Sequence, residues 1–280
     1  MDLNPQLTSP TEVRALLNQL GHRPNRGLGQ NYLIDANILD GIVQLAALES
    51  TDCVLEIGPG LGALTERILA QTVNFRCIEK DPKMAGYLRK HFSGLEVMEA
   101  DAMDVNLNAI FALGVNKVVA NLPYSVASRL MVEIAEGSNR PERMCLTIQK
   151  EVADRLTAKP GDRAYGVLSV LTGFFYESRL AKKVSPTCFL PPPKVWSAVV
   201  QMDRRSEVWV EEDEYPIVKR LVKYCFSQRR KQIATSLKNL GIQSVRALLS
   251  ELEISPKERP EQLESQHWVA MARWLQSREA

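Results

Sequence analysis

The sequence predicts an α/β protein with a mostly parallel sheet, followed by a small all-α domain. Short apolar stretches alternate with helical stretches between residues 53 and 149, which is the pattern of successive β-α-β units. A glycine-rich turn follows the first of these strands, and the chain after residue 206 shows only helical periodicity. We therefore predict an α/β domain over residues 1–205 and a helical domain over residues 206–280.

Two helices are predicted before the sheet. Ser9 can cap the first helix, Pro10 fits its first turn, and Glu12 can complete a capping box. Gly21 is a suitable residue for the end of this helix. Asp35 can cap the second helix, which has an apolar face.

The alternating region predicts five strands and a further edge hairpin. The five strands cover residues 53–57, 75–79, 95–99, 117–120 and 144–149, with helices over 63–70, 82–92 and 126–135. Strands over 177–184 and 196–202, joined by a proline-rich loop over 186–193, predict an antiparallel hairpin at the sheet edge. The later helices are predicted over 215–226, 231–240, 244–252 and 260–276.

The composition excludes several classes of protein. The hydrophobic fraction of 45% and the charged fraction of 24% are ordinary for a soluble globular chain. The five cysteines are scattered without a CxxC pair, which argues against a zinc site or a disulfide framework and suits a reducing cytoplasm. No apolar run approaches the ~20 residues that span a bilayer, and the N terminus lacks a secretory pattern. We therefore expect a cytoplasmic protein with no metal site and no membrane association, and a monomer because nothing in the sequence demands a dimer.

A glycine-rich turn, LEIGPGLGA over residues 55–63, follows the first predicted strand and opens a helix. Glycines let the backbone turn sharply and approach a ligand closely, and ligands of open parallel sheets bind at the carboxyl ends of the strands. Gly58, Gly60 and Ala63 also satisfy the dinucleotide pattern GxGxxG/A, with Glu79 about 20 residues further on. An NAD-dependent dehydrogenase therefore remains open at this point.

Asp101 bears on whether the cofactor is a dinucleotide such as NAD or another nucleoside. It follows the third predicted strand, where a carboxylate suits hydrogen bonding to the adenine amino group of a nucleoside. Glu79, Asp101 and Asn121 then form a row along one edge of the sheet, which matches class I methyltransferases that use S-adenosylmethionine. For Asp101 alone, a helix N-cap is an alternative role.

The tetrapeptide Asn121-Leu122-Pro123-Tyr124 directly follows the fourth predicted strand and is similar to the signature of enzymes that methylate exocyclic amines. Adenine N6 is a poor nucleophile because its lone pair is delocalised into the ring. The side-chain oxygen of Asn121 and the carbonyl of Leu122 or Pro123 can accept its two hydrogens and localise the lone pair. Pro123 holds the turn, and Tyr124 can stack on the base. The alternative is an ordinary Asn-Pro turn.

Such a base must be unpaired or flipped out of a stack. Phe189, in the proline-rich loop of the edge hairpin, is our candidate for a second aromatic residue facing Tyr124. The alternative role for Phe189 is a buried residue that anchors the loop.

Basic residues concentrate in one part of the helical region. Residues 215–250 contain no Asp or Glu, and they include Lys219, Arg220, Lys223, Arg229, Arg230, Lys231, Lys238 and Arg246. Arg229, Arg230 and Lys231 lie between two predicted helices and suit neutralisation of RNA phosphates, and Arg26 is a further candidate RNA contact. The alternative is a solvated helix face.

Together these motifs resemble the KsgA/RsmA family of ribosomal RNA adenine N6,N6-dimethyltransferases, over about residues 22–240. Residues 28–33, LGQNYL, are similar to the LGQNFL segment of the family, with Tyr32 in place of phenylalanine. The glycine-rich turn and the Asn121–Tyr124 tetrapeptide resemble its cofactor and catalytic motifs. Segments 149–152, 165–166, 189–199 and 226–231 are also similar.

The resemblance implies S-adenosylmethionine as the cofactor, with S-adenosylhomocysteine as its product. It places Asn121, Tyr124 and Phe189 at the base. The family dimethylates two adjacent adenines in a hairpin loop near the 3′ end of small-subunit (16S) rRNA, which makes 16S rRNA in the immature small subunit the implied partner. The resemblance and the glycine-rich turn together assign the cofactor contacts to Asn31, Leu33, Gly58, Gly60, Glu79, Asp101 and Asn121.

Two other functions remain open beside the dehydrogenase. The first is the related large-subunit adenine methyltransferase that confers macrolide resistance and shares most of these motifs. The second is a ribosome-assembly factor in which RNA binding matters and catalysis is dispensable. The intact Asn121 and Tyr124 favour retained chemistry.

Overall fold

The computed structural model describes residues 5–25 and 29–279, in two compact units. The first unit is Met1–Ala153 with Ser178–Arg204, and the second is Asp154–Glu177 with Arg205–Ala280. The predicted boundary near residue 206 agrees with the last of these divisions, but the prediction placed 154–177 in the first domain. Within the second unit, the ring centroids of Phe175 and Tyr215 lie 5.5 Å apart, and Arg205 N donates to Phe175 O. These contacts tie the segment to the later helices.

The strands are β1 (Tyr32–Leu33), β2 (Val54–Ile57), β3 (Phe75–Glu79), β4 (Glu96–Glu99), β5 (Lys117–Asn121), β6 (Arg143–Gln149), β7 (Tyr176–Val184), β8 (Phe189–Leu190) and β9 (Ser197–Arg204). Seven of them form one sheet in the order β4-β3-β2-β5-β6-β9-β7. Strands β2 to β6 pair in parallel, and β9 runs antiparallel to β6. The sequence prediction of a mostly parallel sheet with an antiparallel edge is confirmed.

The helices that flank this sheet are α1 (Pro10–Gln19), α2 (Ala36–Ala46), α3 (Ala63–Leu69), α4 (Pro82–His91), α5 (Leu107–Ala112), α6 (Ala127–Glu136) and α7 (Lys150–Leu156). Ser9 and Asp35 cap α1 and α2 as predicted, because their side chains accept from Glu12 N and Ile38 N. The capping box is only half formed, since the Glu12 carboxylate accepts from Gln6 N instead.

The middle of the sheet is buried on both faces. Every residue of β2 is buried, as are Val118, Val119 and Ala120 of β5. This is the usual environment of parallel strands covered by helices, and it explains their nearly continuous apolar sequences. The ends of these strands are the places where polar side chains begin.

A second, two-stranded sheet was not predicted. Strand β8 pairs antiparallel with β1, with Tyr32 opposite Leu190 and Leu33 opposite Phe189. Phe189 is therefore in a strand rather than in a hairpin loop. It is only 2% exposed and belongs to the core that includes Leu33 and Leu39. This packing corresponds to the alternative role of Phe189 as an anchoring residue.

The second unit is helical, as predicted for the end of the chain. It contains α8 (Val167–Gly173), α9 (Tyr215–Ser227), α10 (Ile233–Asn239), α11 (Val245–Glu251), a 3-10 turn (Pro260–Gln262) and α12 (Ser265–Glu279). Its core includes the fully buried residues Val222, Leu237, Leu248 and Trp268. Within residues 5–25 and 29–279, no helix combines the length and the apolar character that crossing a membrane requires.

Candidate active site

A cleft in the first unit lies at the carboxyl ends of the parallel strands, where open α/β sheets bind their ligands. The loops after β2, β3, β4 and β5 contribute to its wall, together with the segment around β1. The structure brings all of the predicted cofactor residues and the whole tetrapeptide to this cleft. These residues are Asn31, Leu33, Gly58, Gly60, Glu79, Asp101, Asn121, Leu122, Pro123 and Tyr124.

The glycine-rich turn disfavours side chains at Gly58 and Gly60, at both by backbone conformation and at Gly60 also by lack of space. Gly58 and Gly60 have φ angles of +71° and +59°, which residues with a Cβ rarely adopt. A Cβ at Gly60 would also lie 2.9 Å from the ring of Tyr32, and one at Gly58 would lie 3.6 Å from Pro123. The turn therefore presents bare backbone to the cleft.

Glu79 holds this turn in place from the end of β3. Its two carboxylate oxygens accept hydrogen bonds from Gly60 N at 2.9 Å and Asp81 N at 2.8 Å. Burial raises the pKa of Glu79 above its ordinary value, and the two backbone donors oppose that effect. Each oxygen of an ionised carboxylate can accept a second hydrogen bond, so Glu79 can also receive a ligand hydroxyl.

Asp101 sits in the turn after β4. Lys80 Nζ lies 2.6 Å from Asp101 Oδ2, and Met103 N donates to Oδ1 at 2.9 Å. The hydrogen bond from Lys80 lowers the pKa of Asp101, so the carboxylate is charged at neutral pH. The N-cap of the next helix is Asn106, so Asp101 closes a turn rather than capping a helix.

Asn121 ends β5 with an oriented amide. Its Nδ2 donates to the backbone carbonyl of Asn31 at 3.0 Å, which fixes the plane of the amide group. The other end of that amide, Oδ1, is buried and has no hydrogen-bond partner among the residues that the structure describes. A buried acceptor without a partner is costly, so it indicates a ligand donor at this position.

The tetrapeptide turn also identifies the better backbone acceptor. Pro123 O already accepts from Val126 N at 3.2 Å, whereas Leu122 O receives no backbone donor among the described residues. Leu122 N donates to Thr147 O of β6, which fixes the peptide in place. The Leu122 carbonyl is therefore the stronger of the two candidates that the sequence left open.

Sequence reasoning missed the buried carboxyl group of Glu56 on β2. Glu56 lines the cleft, is 1% exposed and accepts from Thr65 Oγ1 at 2.6 Å. Burial, with a smaller contribution from the nearby Glu79 charge, raises the pKa of Glu56 from 4.5 to about 8. The carboxyl group is therefore protonated in the folded protein at neutral pH. Its position within the glycine-rich motif was the only signal in the sequence.

We expect the thermal midpoint of the wild type to fall as the pH rises from 5 to 8, and that of the Glu56→Gln variant to fall less over the same range. The folded pKa of Glu56 lies above its unfolded value, so its stabilising contribution is complete below pH 4.5 and is lost as pH rises toward about 8. Glutamine keeps the acceptor for Thr65 and cannot ionise. Thermal unfolding of both proteins across this range measures the difference, and parallel pH profiles would contradict the protonation of Glu56.

The predicted RNA contacts lie in the second unit, between α9 and α10. Arg230 and Lys231 are exposed. Arg229 is partly engaged, because its Nε lies 3.7 Å from Glu261 Oε2 and its Nη2 donates to Asp162 O. Arg26 lies outside the described residues, and Phe189 is not among the described residues that line the cleft.

Comparisons with known proteins agree on one family. The family model for ribosomal RNA adenine dimethylase matches residues 21–277. A ribosomal RNA small subunit methyltransferase A of Syntrophotalea carbinolica is 36% identical over 260 residues, which cover 92% of this chain and 98% of that protein. A protein of the same name from Chlamydia caviae is 38% identical over 273 residues, covering 96% and 98%.

Two solved structures share the fold over most of the chain. A dimethyladenosine transferase from Plasmodium falciparum has a TM-score of 0.78 at 24% identity, and the match covers 88% of this chain and 97% of that one. The 23S rRNA methyltransferase ErmE has a TM-score of 0.66 at 26% identity, covering 87% and 99%.

The fold and the cleft define a class I methyltransferase that depends on S-adenosylmethionine. The chain belongs to the ribosomal RNA adenine dimethylase family. This membership excludes the dehydrogenase that the glycine pattern alone allowed.

Proposed function

We propose that this enzyme methylates N6 of two adjacent adenines in the 3′-terminal hairpin loop of 16S rRNA, and that its substrate is the immature small ribosomal subunit. The product is N6,N6-dimethyladenosine. The observation that carries the proposal is the buried, unpartnered Oδ1 of Asn121 in a cleft that also presents Tyr124. The small-subunit target is supported by the names of the relatives, which match nearly the whole chain. We further propose a cytoplasmic monomer that contributes to small-subunit biogenesis.

The cleft fits a nucleoside cofactor. A side chain at Gly60 would run into the ring of Tyr32, which also lines the cleft, and acidic residues stand at the end of β3 and after β4. S-adenosylmethionine supplies a methyl group that is already activated by its positively charged sulfur. The residues that would hold it are Asn31, Leu33, Gly58, Gly60, Glu79 and Asp101, with Asn121 as a contact shared with the base.

Asn121 and Leu122 prepare the attacking nitrogen. Two acceptors that bind the hydrogens of adenine N6 favour a pyramidal nitrogen, whose lone pair is then free to form the new bond to carbon. Asn121 Oδ1 is one acceptor and the Leu122 carbonyl is the other. Because the amide is held by Asn31 O, this alignment exists before the base arrives. The N6 proton leaves after the bond has formed, so the site needs no strong base.

The salt dependence of RNA binding tests whether the basic residues of the second unit contact RNA phosphates. We expect replacement of both Arg230 and Lys231 by glutamine to reduce the salt dependence of RNA binding, with the logarithmic slope falling by about 1 per lost phosphate contact. Arg229→Gln should change the slope less, because Arg229 already lies near Glu261. Affinity measured between low and moderate salt gives the slope. Lys257→Gln removes one exposed positive charge elsewhere in this unit, so it is the charge-matched control for Arg229→Gln.

An unaltered slope in the double variant would mean that these two side chains face solvent in the complex. The basic stretch would then act through its other members, and the assignment of Arg230 and Lys231 as RNA contacts would be wrong.

The target itself is tested with S-adenosylmethionine that carries a labelled methyl group. The enzyme is incubated separately with immature small subunits, immature large subunits and duplex DNA, and the modified nucleosides are identified by mass spectrometry. We expect N6,N6-dimethyladenosine in the small subunit alone. Label in the large subunit would instead favour the resistance-type activity, in line with the structural similarity to ErmE. Cofactor binding without any label would favour an assembly factor.

A further inference from the structure

The hydroxyl groups of Tyr124 and Ser197 lie 2.5 Å apart. Tyr124 is in the loop after β5, whereas Ser197 is the first residue of β9, and β6 lies between these two strands in the sheet. Neighbouring strands are ~4.8 Å apart, so the side chain of Tyr124 spans the end of β6 to reach this partner. Among the described residues, neither hydroxyl group has a second hydrogen-bond partner.

Ser197 provides a rigid anchor for this contact. It is 0% exposed and lies opposite Gln149 in the antiparallel pairing of β6 and β9. The adjacent backbone is fixed as well, since Lys150 N donates to Trp196 O at 2.9 Å. Tyr124, in contrast, is only half-buried and lines the cleft. Burial raises the pKa of Tyr124, so its hydroxyl group keeps its proton at neutral pH.

We propose that Ser197 is a positioning residue for methyl transfer, because its hydroxyl group holds the Tyr124 side chain in the place where the target adenine stacks on its ring. This inference rests on the proposed function, in which Tyr124 contacts the base. Rotation about the Cα–Cβ bond would carry the hydroxyl group of Tyr124 away from Ser197, so the hydrogen bond keeps the ring from swinging out of the cleft. The stacked adenine therefore keeps its N6 beside Asn121, and the geometry of attack is preserved.

The hydrogen bond between Tyr124 and Ser197 could either align the ring of Tyr124 for catalysis or only satisfy the packing of two hydroxyl groups. A packing role needs only that both hydroxyl groups are satisfied or both are absent, because a single buried hydroxyl group without a partner is what costs stability. An alignment role needs the hydrogen bond itself. The two roles therefore differ in the variant that lacks both groups.

The experiment compares Tyr124→Phe, Ser197→Ala and the double variant, with Ser178→Ala as the matched control. Ser178 lies on β7, and its buried hydroxyl group has no partner among the described residues. Single-turnover methylation of small subunits, S-adenosylmethionine affinity and the thermal midpoint are measured for each protein. We expect both single variants to lose thermal stability and about fivefold in rate, with unchanged cofactor affinity. The control should keep the wild-type rate.

The double variant decides the question. We expect its thermal midpoint to recover toward that of the wild type while its rate stays as low as in the single variants, since the shared hydrogen bond is lost only once. Wild-type rates in the double variant, or in both single variants, would overturn the positioning role and leave only packing. A wild-type enzyme that methylates no adenine would contradict the proposed function first, and with it this inference.

Discussion

Asn121→Ala should reduce the rate of methyl transfer by about 100- to 1,000-fold, as is typical when a single oriented group that stabilises a transition state is removed. The change deletes Asn121 Oδ1, a buried acceptor in the cleft that has no hydrogen-bond partner among the described residues. Cofactor affinity should remain within a few fold, because the glycine-rich turn, Glu79 and Asp101 are untouched. Single-turnover rates on small subunits and calorimetric titration with S-adenosylmethionine measure the two effects.

The control for this change is Asn37→Ala. Asn37 is exposed on α2, so its loss removes an amide without touching the cleft. We expect wild-type kinetics in that variant. Undiminished methylation by Asn121→Ala would rule out the alignment of N6 by this side chain, whereas parallel losses of rate and cofactor affinity would make Asn121 mainly a cofactor ligand.

Phe189→Ala should destabilise the first unit by about 3–5 kcal/mol, the usual cost of removing a buried aromatic ring. Phe189 is 2% exposed, and its strand holds β1 by pairing with Leu33. Hydrogen exchange of the amides of β1 and β8 reports this loss within the first unit alone. Activity should fall with the folded fraction, because β1 directly follows Asn31, which holds the Asn121 amide.

Trp196→Ala is the matched control, since Trp196 is an aromatic residue from the same segment that is 54% exposed. We expect little change in its hydrogen exchange, and Phe189→Leu should cost less than Phe189→Ala because more of the buried volume is kept. Normal exchange in Phe189→Ala with strongly reduced methylation would restore the sequence-based interpretation of Phe189 as a stacking residue.

The cleft was largely predictable because its residues occupy the ends of consecutive parallel strands. Gly58 follows β2, Glu79 and Asn121 end β3 and β5, and Asp101 comes two residues after β4, and the topology of a parallel sheet brings such ends together. Local sequence was enough for these positions. The hydrogen-bond partners of the cleft residues could not be predicted in this way, because they can be distant in the sequence. Tyr124 and Ser197, for example, are 73 positions apart.

The elements that the sequence did not predict are short. Strands β1 and β8 have two residues each, and α5, α7 and α8 have six or seven. Such segments contain too little periodicity to distinguish a helix or strand from a loop, and tertiary packing decides their structure. Phe189 was misplaced for this reason, since the pairing of β8 with β1 is what buries it.

The second unit is built from two separate stretches of chain, 154–177 and 205–280. A genetic crossover just after codon 205 would therefore not exchange the whole second unit between two relatives. It would join the early stretch of one parent to the late stretch of the other, and ring contacts such as Phe175 with Tyr215 would become mixed. Functional chimeras should require exchange of both stretches together, so a single crossover cannot transfer the second unit by itself.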